Sequence, residues 1–362
     1  MKINIDLIYA GSFLLGSLSY LIYLKMGGFI FLSFFFSIGL IFLSLLKILK
    51  INKLLLLFFI FSIFIYTFLG FLSPNYEFSK LILSLLYIFS CIGYALILFF
   101  NKNNLILSKI IYLGFLVFLL FHFISMGFLS FEEFNNIFYA SSRNVVSAAL
   151  ICLLLNLILI SKINNKDLSF FYYLSCLLFC VLLYGRTGIL ISILLLSYKI
   201  ITYFKNLYSV FLLVIFLFVG NFYLGYFLGF LENNTNLSKG LESPRSMLLN
   251  EYLNSIFLSN KNLLFGSDIN KCCQYAVLFN ENLHNSFLYA HSRFGIISFI
   301  YFILFTLFVF FTRNFLVIFI YCVLILRYFY DELGFFGVFD ISFYILLIMC
   351  FVKYNLIVYK VD

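Results

Sequence analysis

Apolar stretches of roughly 15 to 25 residues follow one another along the whole chain, separated mostly by short polar connections. A bilayer requires about 20 apolar residues for one helical span. The stretches do not alternate with a period of two, which excludes a membrane β-barrel. Only 10% of the 362 residues are charged, against roughly a quarter in globular domains, which excludes a soluble single-core protein. The sequence therefore predicts an all-α, polytopic integral membrane protein.

We expect about 12 transmembrane helices, because that many segments reach the required length. The predicted spans are 7–24, 28–46, 54–73, 81–100, 110–130, 145–161, 168–184, 188–204, 207–231, 294–312, 315–330 and 341–359. The first span is too long for a signal-peptide core, and we expect it to be retained. Without internal repeats or flexible linkers, the chain is predicted to form one transmembrane domain over residues 1–362.

The net charge of +9 combines two populations of basic residues. Twelve of the 17 lysines fall in alternate connections or near the termini, which places both termini in the cytoplasm by the positive-inside rule. Five of the six arginines and 11 of the 14 acidic residues fall on the opposite side. Guanidinium groups bind phosphate with two parallel hydrogen bonds, so this side is the predicted functional face. No basic cluster is long enough to predict a nucleic-acid partner.

One connection is much longer than the others, at about 52 residues over 232–283 between spans nine and ten. Ser243 and Pro244 read as the N-cap and first position of a helix. Its N-terminus together with Arg245 would bind an anion, although an arginine at the membrane surface is the alternative. The apolar side of this helix is predicted to lie in the membrane interface and comprises Leu248, Leu249, Tyr252, Leu253, Ile256 and Phe257.

Two of the three histidines stand at the end of this long loop. If the chain is helical from about His284, then His284 and His291 share one face. We predict His284 as a general base, with a capping or interfacial histidine as the alternative, and His291 as support for its neighbour. A spacing of seven does not fit a helical metal site, and we expect no metal. His122 within span five is predicted to be structural.

Further arginines lie at the same predicted face. Tyr184-Gly185-Arg186-Thr187-Gly188 joins spans seven and eight, and its glycines are predicted to give the turn backbone freedom. Arg143 and Arg327 could equally be paired surface charges. Cys272 and Cys273 are adjacent in the long loop, where an oxidising compartment could join them. The chain has no nucleotide-binding motif, so the transferred group need not arrive as a nucleotide.

These motifs, in this order and on one predicted side, resemble the bacterial O-antigen ligase and O-antigen polymerase superfamily over roughly residues 180–312. The motifs are Gly185-Arg186-Thr187-Gly188, Pro244-Arg245, Leu263-Leu264-Phe265-Gly266, His284-Asn285-Ser286-Phe287-Leu288 and Gly295. The resemblance implies an undecaprenyl-diphosphate-linked glycan donor, periplasmic arginines that hold the diphosphate, and a loop histidine that activates the acceptor hydroxyl. The implied roles fall on Arg186 and Arg245 for the diphosphate and on His284 for the acceptor. We add Arg293 as a third diphosphate ligand.

The resemblance favours an O-antigen polymerase in the bacterial inner membrane, with the active site in 232–293 at the periplasmic face. The acceptor would be a second lipid-linked repeat, or lipid A-core if the enzyme is a ligase. A lipid-linked oligosaccharide flippase is the alternative from another class. We expect no cofactor, and we expect membrane lipid and a chain-length regulator as partners. Supporting roles are predicted for His291, Glu281, Glu242 and Arg143.

Overall fold

A computed structural model of the chain describes residues 5–28, 32–34, 36, 53–101, 103–127, 133–139, 142–203, 244–278, 282–331, 334 and 340–353. Regular structure in these residues is entirely helical, with fifteen α-helices and one 3-10 helix at Glu133–Asn136. The α-helices are α1 (Ile5–Met26), α2 (Lys53–Leu72), α3 (Phe78–Phe100), α4 (Asn104–Met126), α5 (Arg143–Ile163), α6 (Phe170–Leu182), α7 (Arg186–Tyr203), α8 (Pro244–Ile256), α9 (Asn260–Phe265), α10 (Ile269–Cys272), α11 (Gln274–Leu278), α12 (Ser286–Phe294), α13 (Ile297–Phe311), α14 (Phe315–Tyr330) and α15 (Ile341–Lys353).

Five of the described helices are long and apolar enough to cross a membrane, namely α1, α3, α4, α5 and α7. Five further helices are apolar over shorter stretches, namely α2, α6, α13, α14 and α15. Their lipid-compatible surface is visible on α13, where Ile300, Ile303, Leu304 and Leu307 are exposed at helical spacing. The helices indicate a multi-pass membrane protein.

Ten of the twelve segments predicted as spans are helical in the structure. Segment 207–231 lies outside the described residues, and so does nearly all of 28–46. The largest difference between a predicted and an observed helix start is in α4. The predicted span starts at residue 110, whereas the helix begins at Asn104, directly after the polar turn at Asn101. α13 begins at Ile297, since Gly295 at φ 64° separates it from α12.

The chain divides into two compact units. Unit 1 contains Met1–Tyr23, Gly27–Ser108 and Pro244–Asp362, and unit 2 contains Leu24–Met26 and Lys109–Ser243. In unit 1, α3 packs against α15, and the short helix α12 contacts α2, α9, α13 and α14. In unit 2, α5, α6 and α7 pack on one another. The single transmembrane domain stays a prediction.

Connections that the predicted topology places on one side contact each other within unit 1. Asn75, between α2 and α3, donates from Nδ2 to the carbonyls of Ser267 (2.6 Å) and Ser292 (2.9 Å). Ser286 donates to the carbonyl of Asp331, which follows α14, at 2.6 Å. Three connections that lie far apart in sequence therefore contact one another within unit 1.

Candidate active site

Residues 244–278 and 282–294 of unit 1 form what we call the loop lobe, which has its own small core. α8 contributes Leu248, Tyr252 and Ile256 to this core, spaced four residues apart. They pack against Ile269, Cys273, Ala276, Leu283 and Leu288.

The predicted membrane-interface role of this face is wrong for Leu248, Tyr252 and Ile256, which are buried in the loop lobe. Their spacing forms one narrow stripe that fits a protein core. Leu249 and Phe257 fall off the stripe and are 38% and 78% exposed.

α8 begins at Pro244, in agreement with the sequence, and places Arg245 in its first turn. A helix of 13 residues presents free N–H groups at this end. The Arg245 side chain lies outside the described residues, as do Ser243, Glu242 and Glu281. The structure thus supports the predicted position of Arg245 in the helix.

His284 precedes α12 and is not part of it, so the predicted shared helical face of His284 and His291 is wrong. The helix begins only at Ser286 because the Asn285 side chain caps it, accepting hydrogen bonds from the N–H groups of Phe287 (2.9 Å) and Leu288 (3.2 Å). His284 has φ 49°, a left-handed conformation that is uncommon outside glycine. Its N–H donates to Asn282 Oδ1 at 2.7 Å, and its side chain is half-buried.

Each residue that follows His284 in the predicted motif fixes the backbone of this segment. Asn285 caps α12, and Ser286 links it to the end of α14. Phe287 packs among the rings of Phe302 and Phe329 at centroid distances of 4.7 and 5.0 Å, and Leu288 is in the lobe core. The four residues together hold His284 at a defined place on the loop lobe.

His291 is fully buried and both ring nitrogens have partners. Nε2 lies 3.0 Å from the carbonyl of Leu263, which can only accept, so Nε2 carries a proton. In the neutral ring Nδ1 therefore accepts from the Tyr252 hydroxyl at 3.0 Å. Burial lowers the pKa of His291, although the Leu263 carbonyl opposes this, and burial raises the pKa of Tyr252. This arrangement makes His291 a neutral tie between α8, α9 and α12.

The glycines of two predicted motifs form one close backbone contact. Gly266 (φ 94°) ends α9 and Gly295 (φ 64°) ends α12. A Cβ on Gly295 would lie 1.9 Å from the carbonyl oxygen of Leu264, and one on Gly266 would lie 2.6 Å from that of His291. Ile296 N–H donates to the same Leu264 carbonyl at 3.2 Å. Only glycine at both positions lets α9 cross the end of α12 this closely.

Arg293 lies at the other side of α12 and is only 9% exposed. Its Nη1 donates to the carbonyl of Asn75 at 3.2 Å, and its guanidinium lies 5.3 Å from the Tyr289 ring centroid. The cavity beside it has a volume of about 10 Å³, enough for about one water molecule. Arg293 is placed to tie α12 to the α2–α3 connection, and its role as a diphosphate ligand stays a prediction.

For Arg327 the sequence leaves open the alternative of a paired surface charge; the structure confirms the pairing, but the residue does not lie at the surface. The residue is 1% exposed at the C-terminal end of α14. Its Nε lies 3.2 Å from Asp331 Oδ2, and its Nη2 lies 3.4 Å from Oδ1 of the fully buried Asp340. Tyr328 also donates its hydroxyl to Asp340.

Arg186 and Arg143 belong to unit 2, where each is the first residue of a helix. Arg186 is exposed. The Arg143 guanidinium lies 6.0 Å from the Tyr184 ring centroid, and the Arg143 N–H donates to Asn135 Oδ1 at 3.1 Å. Both arginines thus flank the turn at Tyr184.

The glycines of this turn have a different role from the predicted one. The left-handed backbone falls on Tyr184 (φ 52°), while Gly185 and Gly188 have no positive φ. A Cβ on either glycine would lie 2.7 Å from a Ser147 side-chain atom of α5. The glycines therefore allow close packing of α5 against the start of α7.

Cys272 and Cys273 are joined by a disulfide between α10 and α11. Among the described residues, no three His, Cys, Asp or Glu side chains group as metal ligands would. His122 is buried in α4, where its Nδ1 lies 2.8 Å from the Phe118 carbonyl, which agrees with a structural role.

Sequence reasoning missed Asn75, which binds the loop lobe through three hydrogen bonds, the third from the N–H of Ile269 at 2.9 Å. Its partners lie about 190 to 220 residues away, so no local pattern could reveal them. It also missed Asp340, an acidic residue beside an apolar span, which is itself a sequence signal for a buried charge partner.

The loop lobe thus presents a half-buried histidine on a fixed backbone, next to a capped helix, with a second helix N-terminus that carries an arginine. This set can accept a proton and bind an anion. No family model, curated protein or solved structure matches this chain.

Proposed function

We propose that this chain is an inner-membrane glycosyltransferase of the O-antigen polymerase type, with about 12 spans and its active site at the periplasmic face. The acceptor hydroxyl of one lipid-linked repeat attacks the anomeric carbon of another. A bond forms between the acceptor oxygen and this carbon, and the bond from the carbon to the diphosphate oxygen breaks. The hydroxyl proton passes to His284, and undecaprenyl diphosphate leaves.

The observation that carries this proposal is the conformation of His284. A non-glycine residue with a left-handed backbone is held only where its surroundings impose it, and such residues concentrate at functional sites. Here the N–H···Oδ1 bond to Asn282 and the Asn285 cap impose it from both sides. Imidazole is also the side chain that exchanges protons near neutral pH.

The leaving diphosphate requires positive charge, which arginines supply with bidentate hydrogen bonds. Arg245 in the first turn of α8 is the ligand we propose within unit 1. Arg293 is better explained as a support of α12, since it is buried and donates to Asn75.

The test is a transfer assay with purified protein in lipid nanodiscs and a polyprenyl-diphosphate-linked oligosaccharide as both donor and acceptor. His284→Gln is expected to lower the rate by about 10²- to 10⁴-fold, the usual effect of removing a general base. His122→Gln makes the same chemical change within α4 and should leave the rate unchanged. Native activity of His284→Gln would contradict the assignment of the base.

Polymerase and ligase differ in the acceptor, and the lipopolysaccharide of a deletion strain separates them. We expect core that carries a single repeat, since polymerisation alone is lost. Bare core, with polymer left on the lipid carrier, would identify a ligase. A flippase would give no transfer product in the nanodisc assay but would move the lipid-linked glycan between leaflets of a vesicle.

A further inference from the structure

We propose that Arg327, Asp331 and Asp340 position His284 through a buried ion network at the end of α14, an inference that rests on the proposed function. Their effect would pass through Ser286, which belongs to the first turn of α12. They are therefore positioning residues and take no part in proton transfer.

The first step of this path is the attachment of α12 to α14. Ser286 is fully buried; its hydroxyl donates to the Asp331 carbonyl at 2.6 Å and accepts from the Gly334 N–H at 2.9 Å. A Cβ on Gly334 would lie 2.7 Å from Ser286 Oγ, so the two segments are in direct contact. The Phe287 ring packs against Phe329 of α14 on the adjacent side. The start of α12 therefore moves with the end of α14.

The second step is the ion network that fixes Asp331. Asp331 directly follows α14, and its carboxylate is paired with Arg327 one turn back, at 3.2 Å. The same guanidinium contacts Asp340, which is 0% exposed and precedes α15. A buried arginine with two acidic partners has little freedom, because any movement would leave a charge without compensation away from water. The network thus locks the ends of α14 and α15 together.

The consequence reaches His284 because only Asn285 separates it from Ser286. Its left-handed backbone depends on a fixed first turn of α12. If that turn is released, His284 can return to an ordinary backbone conformation and its imidazole moves. A displacement of about 1 Å is enough to lower a rate about 100-fold.

The test uses ¹⁵N-histidine-labelled protein in nanodiscs, since the chain has only three histidines and each signal can be assigned by substitution. Asp331→Asn and Arg327→Lys are expected to shift the His284 signals while those of His122 and His291 stay in place. In the transfer assay kcat should fall about 10- to 100-fold, with KM within about twofold of the native value. Ser286→Ala should give the same shift, and its combination with Asp331→Asn should add little because both act on one path.

Lys271→Gln is the matched control, because it breaks an exposed ion pair with Asp268 (3.0 Å) in the same lobe and should change nothing. If the ion-network variants do not fold, Ser286→Ala decides the question, since it keeps every charge. Folded variants with native His284 signals and native kcat would overturn the inference. If instead His284→Gln retains full transfer, the proposed function fails, and the His284 signals of Asp331→Asn still report whether the network positions this residue.

Discussion

His284 and His291 lie seven residues apart, yet the structure gives them different environments. His284 is half-buried before α12, whereas His291 is enclosed, with one ring nitrogen facing Tyr252 and the other facing Leu263. The sequence could locate both histidines, since they are two of only three. It could not distinguish them, because the distinction depends on the Asn285 cap and on partners 28 and 39 residues away.

The tie between His291 and Tyr252 is testable by a double-mutant cycle. His291→Leu leaves the Tyr252 hydroxyl buried with one partner fewer, at a cost of about 1–3 kcal/mol. Tyr252→Phe removes the same hydrogen bond from the other side. We therefore expect the double variant to lose clearly less stability than the sum of the single variants, measured by thermal unfolding in detergent. Additive losses would show that the two side chains do not interact.

His291 also predicts a pH dependence of stability. Its folded pKa is lowered from 6.5 by burial, so the unfolded chain binds this proton more readily than the folded one. The stability that His291 contributes is full above pH 6.5 and is lost as the pH falls below this value. The unfolding temperature should therefore decrease between pH 7.5 and 5.5 more steeply in the native protein than in His291→Leu. Parallel curves would contradict this assignment.

At the scale of elements, α12 has only nine residues and yet contacts four other helices. Its start is attached to α14, its end crosses α9 at Gly266 and Gly295, and Arg293 and the carbonyl of Ser292 tie it to Asn75. Hydropathy found the long helices because length and apolarity suffice for them. A helix start at about His284, on which the shared histidine face depends, is two residues too early, since cap geometry rather than periodicity decides that boundary.

The crossing of α9 and α12 predicts strong sensitivity at Gly295. Gly295→Ala would place a Cβ 1.9 Å from the Leu264 carbonyl at φ 64°, so the backbone of the loop lobe must shift. We expect the free energy of unfolding to fall by several kcal/mol. Losses above about 4–5 kcal/mol are exceptional for a single substitution. Gly114→Ala is the matched control in α4, where no atom of the described residues outside the helix's own backbone lies within 4 Å of an added Cβ, and it should be neutral or slightly stabilising. Size-exclusion profiles of heated samples would measure both.

At the scale of the whole molecule, lysines that the charge pattern assigns to one side of the membrane also lie close together in the fold. Lys109 of α4 lies 5.9 Å from the Tyr172 ring centroid, and Lys199 of α7 lies 5.6 Å from that of Phe170, so both lysines lie beside the start of α6 in unit 2. The sequence could predict this grouping because charge bias and span length are local properties. Long-range ties such as Asn75 and Asp340 required the fold.

The proposed orientation predicts opposite accessibility for two exposed lysines. In a cysteine-free background, Lys271→Cys in the loop lobe should react with a membrane-impermeant maleimide in intact spheroplasts. Lys166→Cys, between α5 and α6, should react only after the membrane is permeabilised. Both positions are exposed, so the difference reports the side of the membrane. Labelling of Lys166→Cys alone in intact spheroplasts would reverse the orientation.

The disulfide between Cys272 and Cys273 offers a second way to determine the side of the membrane on which the loop lobe lies. A disulfide stabilises a fold mainly by closing a long loop in the unfolded chain, and a bond between neighbours closes almost none. Reduction should therefore leave the loop lobe folded. Because disulfides persist in oxidising compartments, the bond acts as a chemical marker of the side on which the lobe resides. Its oxidation state in whole cells would report the location of the lobe without any substitution.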